Sequence, residues 1–169
     1  MAGSAGPSGC TAIDYIPVNY SIEYSAAIQG LFNNFSNNSI SAACISCHTT
    51  NMGMQTASGN LDLDSGDGSS YGNLVNVPSD EDPDILYVVP KHPEQSLLFQ
   101  KVNCDNPAVG VRMPYGFPPG TLTPQQQAVI YDWIAAGAPI DTTDGIFRGN
   151  FDIRGFLVDK IFANGFEGP

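Results

Sequence analysis

Cys44-Ile45-Ser46-Cys47-His48 is the stretch from which the rest of the 169-residue chain is read. Two thiols three positions apart, followed directly by an imidazole, form the C-x-x-C-H spacing of covalent haem attachment. The mechanics are specific. Thiols on one helical turn add to the haem vinyl groups as thioethers, and the adjacent imidazole reaches the iron from the proximal side. With four Cys and two His in the chain, chance produces such a pentapeptide in roughly one sequence in a thousand. Other uses of C-x-x-C fit less well. A redox dithiol expects a βαβ pattern around it, and none is found. A zinc site needs a second C-x-x-C or an H-x-x-x-H-like pair, and the chain has neither.

The sixth iron ligand has to come from elsewhere. Met52, Met54, His92, Met113 and solvent are the candidates. Met52 and Met54 follow His48 too closely to reach the distal face. His92 stands directly before Pro93 at a helix start, where capping or solvent exposure is the ordinary role. Met113 lies in Arg112-Met113-Pro114, between Gly110 and Gly116, in a Pro-rich loop. A stiff irregular loop holds a thioether at a fixed distance, so Met113 is the expected ligand, with His92 or an open site as alternatives.

Outward from the motif, helical periodicity is short. Ile22, Ala26, Ile28, Leu31, Phe32 and Phe35 recur at three- and four-residue steps, predicting a helix from Ser21 to Phe35. A second short helix is expected from Ser39 or Ser41 to His48, with Ser as N-cap. Residues 49–90 read as a long polar loop, with a turn near Tyr71 to Val75 and an extended piece over Ile85 to Val89. Pro93 suits the first position of a helix carrying Leu97, Leu98 and Val102. The best-defined helix begins at Thr123. Pro124 follows the N-cap, Gln126 closes a capping box, and Gly137 stops the helix before Pro139.

Three further pieces carry a family resemblance: Leu61-Asp-Leu-Asp-Ser with Tyr71-Gly-Asn-Leu-Val75; Val88-Val-Pro with Pro93-Glu-Gln-Ser-Leu-Leu98; and Arg112-Met-Pro114 with Trp133-Ile-Ala-Ala-Gly-Ala-Pro139. Together with the C-x-x-C-H they resemble the single-haem class I cytochromes c, and more closely the bacterial planctomycete-type cytochrome c domains. The resemblance spans about residues 25 to 140. It implies an all-α, haem-wrapping helical fold with long loops. It also implies one covalent haem c held by Cys44 and Cys47, with His48 and Met113 on the iron. Trp133 is placed near the helix of Leu31 and Phe32, and Tyr71, Trp133 and Arg112 join the cofactor-binding set. Arg112 could pair a haem propionate, or equally make a surface salt bridge. The expected organisation is an N-terminal arm (1–20), a cytochrome domain (21–141) and a C-terminal extension (142–169).

Composition bears on partners. Acidic residues outnumber basic ones 17 to 6, for a formal charge of −11. That excludes nucleic acid and anionic membranes as electrostatic partners and points to a redox protein with a basic docking patch. No apolar run is long enough to span a bilayer, and residues 1–9 lack a signal-peptide pattern. Covalent haem attachment of this kind occurs outside the bacterial cytoplasm. The expected location is therefore the periplasm or the cell exterior, where disulfides persist. Cys10 and Cys104 are left over and are expected to bridge, the alternative being two buried thiols. Asp62, Asp64 and Asp67 invite a calcium reading, but the EF-hand spacing fails at Gly66 and Asp67, and a solvated acidic loop is preferred.

The ending Ile161-Phe-Ala-Asn-Gly-Phe-Glu167 resembles a short C-terminal motif of secreted proteobacterial proteins; the alternative is aromatic packing on the domain or on a neighbouring chain. No acid–base pair or activated nucleophile is visible, so electron transfer without turnover is expected. The alternatives are a haem enzyme or sensor with an open distal site, and a structural subunit that self-associates through the tail.

Overall fold

Thr123, Pro124 and Gln126 start the longest helix as their chemistry dictates. A computed structural model of the chain describes residues 6–18, 22–37, 40–50, 58–64, 70–116 and 121–140. In it, α3 (Pro124–Ala135) opens with a full capping box, Thr123 Oγ1 accepting from Gln126 N–H while Gln126 Oε1 accepts from Thr123 N–H. Gly137, at φ +103°, ends it in a backbone conformation that costs a side-chain-bearing residue energy. A Thr123→Ala variant is expected to lose about 1 kcal/mol of stability, seen as a lower denaturation midpoint. An unchanged midpoint would show that the box is dispensable.

The other helices are shorter. A π-helical turn, Tyr24–Ile28, runs into α1 (Gln29–Asn33). A 3-10 turn at Pro93–Gln95 leads into α2 (Leu97–Asn103). The described residues also form two antiparallel two-stranded sheets. β1 (Ser8–Cys10) pairs with β4 (Cys104–Asn106), and β2 (Phe35–Asn37) pairs with β3 (Ile40–Ala42).

The expectation of an all-α fold is therefore corrected: the architecture is mixed and low in helix, with short helices, two small sheets and extensive loop. The causes are local and long-range. The helix expected to lead into the C-x-x-C-H is instead the β2–β3 hairpin followed by a 3-10 turn at Cys44–Ser46. Asn, Ser and β-branched Ile are weak helix formers there, and a hairpin across two residues satisfies the backbone at once. The N-terminal arm, meanwhile, is recruited as a strand by the Cys10–Cys104 disulfide, in the register Cys10↔Cys104.

One core joins these pieces. Trp133, Ile130 and Ile134 of α3 are buried with Ile28, Phe32, Leu74, Val88 and Leu97. Ile13 and Ile16 bring the arm into the same cluster. The turn at Tyr71–Val75 and the extended piece at 85–89 form as expected, with isolated bridges Val75↔Val88 and Pro78↔Leu86. α3 packs against both α2 and the Tyr24–Ile28 turn, and α1 packs on the Cys44–Ser46 turn. That last contact sets the C-x-x-C-H against the apolar face of α1. Residues 142–169, and with them the expected tail motif, lie outside the described residues. Among the described residues no helix is long and apolar enough to cross a membrane.

Candidate functional site

The C-x-x-C-H is wound as one tight turn. Cys47 and His48 both donate their backbone N–H to the Cys44 carbonyl, at 3.2 and 2.9 Å. Cys44 is half-buried, Cys47 is exposed, and neither is in a disulfide. Burial pushes the Cys44 thiol up to about 12. That environment opposes the thiolate on which dithiol exchange and zinc binding depend. It presents no such obstacle to a thioether, which carries no charge.

Residues 58–64 brace His48 from behind. Leu63 N–H donates to the His48 carbonyl at 2.9 Å, and Ser58 N–H to that of Cys47 at 3.0 Å. The ring is held by its Nδ1, which lies 3.3 Å from the Leu61 carbonyl. A carbonyl can only accept, so Nδ1 is the donor in this bond, the arrangement that orients a metal-binding histidine. Burial lowers the pKa of His48, with the Leu61 and Ser58 carbonyls pulling the other way. The neutral ligand form is thereby favoured.

Asp62 and Asp64 keep this brace in shape. Asp62 Oδ2 accepts from the N–H and hydroxyl of Thr50, its Oδ1 from Asp64 N–H, and Asp64 Oδ2 from the Thr49 hydroxyl. Their oxygens are spent on the loop itself, and among the described residues no group of three or more His, Cys, Asp or Glu is gathered as for a metal ion. Asp67 lies outside the described residues.

In front of His48 opens an apolar cleft of about 190 Å³, continuous with solvent at its mouth and smaller than the roughly 300–1,000 Å³ usual for ligand pockets. All three helices line it: α1 through Leu31 and Phe32, α2 through Leu97 and Leu98, α3 through Ile130. Cys44, His48 and Met113 meet on its surface, although Met113 lies far along the chain from the other two. An apolar hollow bearing a thiol, an imidazole and a distant thioether offers donors that a covalent haem uses, with Cys47 exposed and outside the lining. The residues fit that group.

The Met113 loop is tied down at several points. Met113 N–H donates to the Lys101 carbonyl at 2.7 Å, and Ala108 N–H to Gln100 Oε1 at 3.0 Å. Arg112 pairs with Asp105 at 2.6 Å and reaches the Val102 carbonyl at 3.4 Å. Arg112 lines the neighbouring groove beside Val111 and Tyr115 rather than the cleft. Its guanidinium is committed to anchoring the loop.

Tyr71 and Trp133 are likewise absent from the cleft lining. They build an aromatic cluster with Tyr24, whose ring lies 5.1 Å from that of Tyr71 and 5.4 Å from that of Trp133. Tyr71 donates to the Ala138 carbonyl and Trp133 Nε1 to that of Pro139, so both secure the end of α3. Trp133 does stand against the turn that leads into α1. The Tyr24 hydroxyl donates to Ser70 in a buried network with Gln29, and burial pushes the phenol up to about 12. His92 is exposed ahead of the Pro93 turn. Met52 and Met54 lie outside the described residues.

Two charged cleft residues had no place in the sequence reading: Lys101 and Glu81. A signal for the first was present. Lys101 follows Leu97 at i+4 on the apolar stripe of α2, where a charge is out of place. Glu81 had none, being one acid among several in Asp80-Glu81-Asp82.

No family model, characterised protein or solved structure matches this chain.

Proposed function

We propose that the chain is an exported monohaem c-type cytochrome that carries single electrons between redox proteins. The observation carrying this reading is the convergence of Cys44, His48 and Met113 on one apolar cleft. Bound there, a haem c supplies a reversible one-electron couple. Cys44 and Cys47 would hold it covalently and His48 and Met113 would bind its iron, a donor pairing that raises the potential. The remaining work belongs to the chain. The Leu61 carbonyl fixes the imidazole, the Lys101 carbonyl fixes the Met113 loop, and the leucine and phenylalanine walls exclude water. The resemblance to planctomycete-type cytochrome c domains supports the same assignment through the motifs around Leu61, Pro93 and Met113.

The acid excess fits a partner with a basic docking patch. The Cys10–Cys104 disulfide is compatible with a periplasmic or extracellular location. No catalytic turnover is assigned to the chain.

A haemochrome assay on protein made in a host with c-type haem maturation tests the proposal. One haem per chain is expected, surviving denaturation and acid–acetone extraction. The Cys44→Ser/Cys47→Ser variant is expected to lose all extraction-resistant haem, and His48→Ala to lose the low-spin spectrum. Failure of the native chain to retain haem would sink the reading.

A further inference from the structure

The cleft is apolar except beside its donor residues, where an ion pair faces it. Lys101, on α2, and Glu81 both line the hollow, and the Lys101 ammonium is bonded to the Glu81 carboxylate. The two ends are not equally wet: the Lys101 side chain is 10% exposed and that of Glu81 38%. A charge held out of water is screened less, so the ammonium dominates the field inside the hollow. The pair is also built into the Met113 loop. Gly110 sits at φ +67°, and a Cβ there would run into both the carboxylate and the ammonium. The Lys101 carbonyl in turn holds Met113 N–H. The pair thus lines the same cleft as His48 and Met113, and its lysine is tied to the Met113 main chain.

We propose that the Lys101–Glu81 pair sets the reduction potential of the group held in this cleft, Lys101 raising it and Glu81 moderating the rise. The inference rests on the electron-carrier reading and adds to it the residues that tune the couple. Reduction takes one electron from the partner protein, breaks no bond and adds one negative charge to the cleft. An ammonium on the wall stabilises that added charge, and a carboxylate opposes it. Both act as positioning charges, not as ligands.

Spectroelectrochemical titration of the holoprotein and three variants tests this. Lys101→Met is expected to lower the midpoint by about a tenfold shift in the reduction equilibrium, roughly 59 mV for a one-electron couple. Glu81→Gln is expected to raise it by less, because its charge is more exposed. Lys101→Arg keeps the charge and is expected to stay within about twofold of the native equilibrium.

A merely structural pair would move both neutral variants in the same direction, or neither, and either result overturns the inference. If Lys101→Met loses the thioether–iron absorption band, the Met113 loop has been disturbed, and the sign of the Glu81→Gln shift then decides. The two levels of the proposal fail separately. A native chain without extraction-resistant haem overturns the carrier reading and this inference together. A haem-loaded chain whose potential ignores both charges overturns only the role of the pair.

Discussion

Replacing Met113 by alanine is expected to abolish the weak far-red charge-transfer band of a thioether–ferric iron pair and to turn the ferric spectrum high-spin. The midpoint potential is expected to fall by more than a tenfold shift in the reduction equilibrium, above roughly 59 mV. The reasoning is geometric. Met113 shares the cleft with His48, and its main chain is fixed by the Lys101 carbonyl on one side and by the Arg112–Asp105 pair on the other. Alanine keeps those backbone tethers, so the loop stays in place and only the thioether is lost. His92 is exposed and stands at a different turn, so no imidazole from it is at hand to restore a low-spin state.

The stability of the variant separates ligand from filler. A half-buried methionine acting only as packing would cost about 2 kcal/mol or more on truncation, with an unchanged spectrum. An axial ligand changes the spectrum and the potential whatever the stability does. A Met113→Ala protein with an intact thioether band would move the ligand to another part of the chain. A native protein already high-spin and open to small ligands would instead support a haem enzyme or sensor.

Legibility in the sequence followed the range of the interaction responsible. The α3 capping box needs only Thr123, Pro124 and Gln126, all within four residues, and it forms as read. The C-x-x-C-H is local too, and its turn closes on the Cys44 carbonyl. The hairpin before it differs from the expected helix because Ile40 and Ser41 offer both patterns over so short a span. Cross-strand pairing of Phe35 with Ala42, not local propensity, settles the choice. The roles expected of Arg112, Tyr71 and Trp133 depended on which side of the backbone each would face, which spacing alone does not specify. Arg112 turned to Asp105, and the two rings turned to Tyr24. The brace on His48 was half-visible: Leu61-Asp-Leu-Asp was conspicuous as sequence, yet its working atom is the Leu61 carbonyl, which any residue would carry.

Removing the Cys10–Cys104 bridge is expected to cost roughly 4 kcal/mol in the chain-entropy model, since it frees a long loop in the unfolded chain. The bridge links residues 94 apart. The native arm has other fastenings. Thr11 N–H donates to the Asn103 carbonyl at 3.0 Å, and Asn103 Nδ2 returns a bond to the Thr11 carbonyl at 2.8 Å. Asn103 also donates to buried Gln127 on α3, and Ile13 and Ile16 sit in the core. These contacts are expected to keep the arm docked in a Cys10→Ser/Cys104→Ser variant. Urea unfolding should then show a lowered midpoint with a slope that does not fall, since the freed unfolded chain exposes at least as much surface.

An arm that comes away gives a different signature. The slope falls, because less surface remains to be exposed, and the stability loss is capped at what the arm contributes. The site supplies a second readout. Cys104 begins β4, whose next residue, Asp105, holds Arg112 and through it the Met113 loop. In the docked case the thioether band persists in buffer and disappears together with global unfolding, at a lower urea concentration than in the native chain. Loss of that band before global unfolding would show that the arm is needed to hold the Met113 loop, and that the disulfide acts on the site as well as on stability.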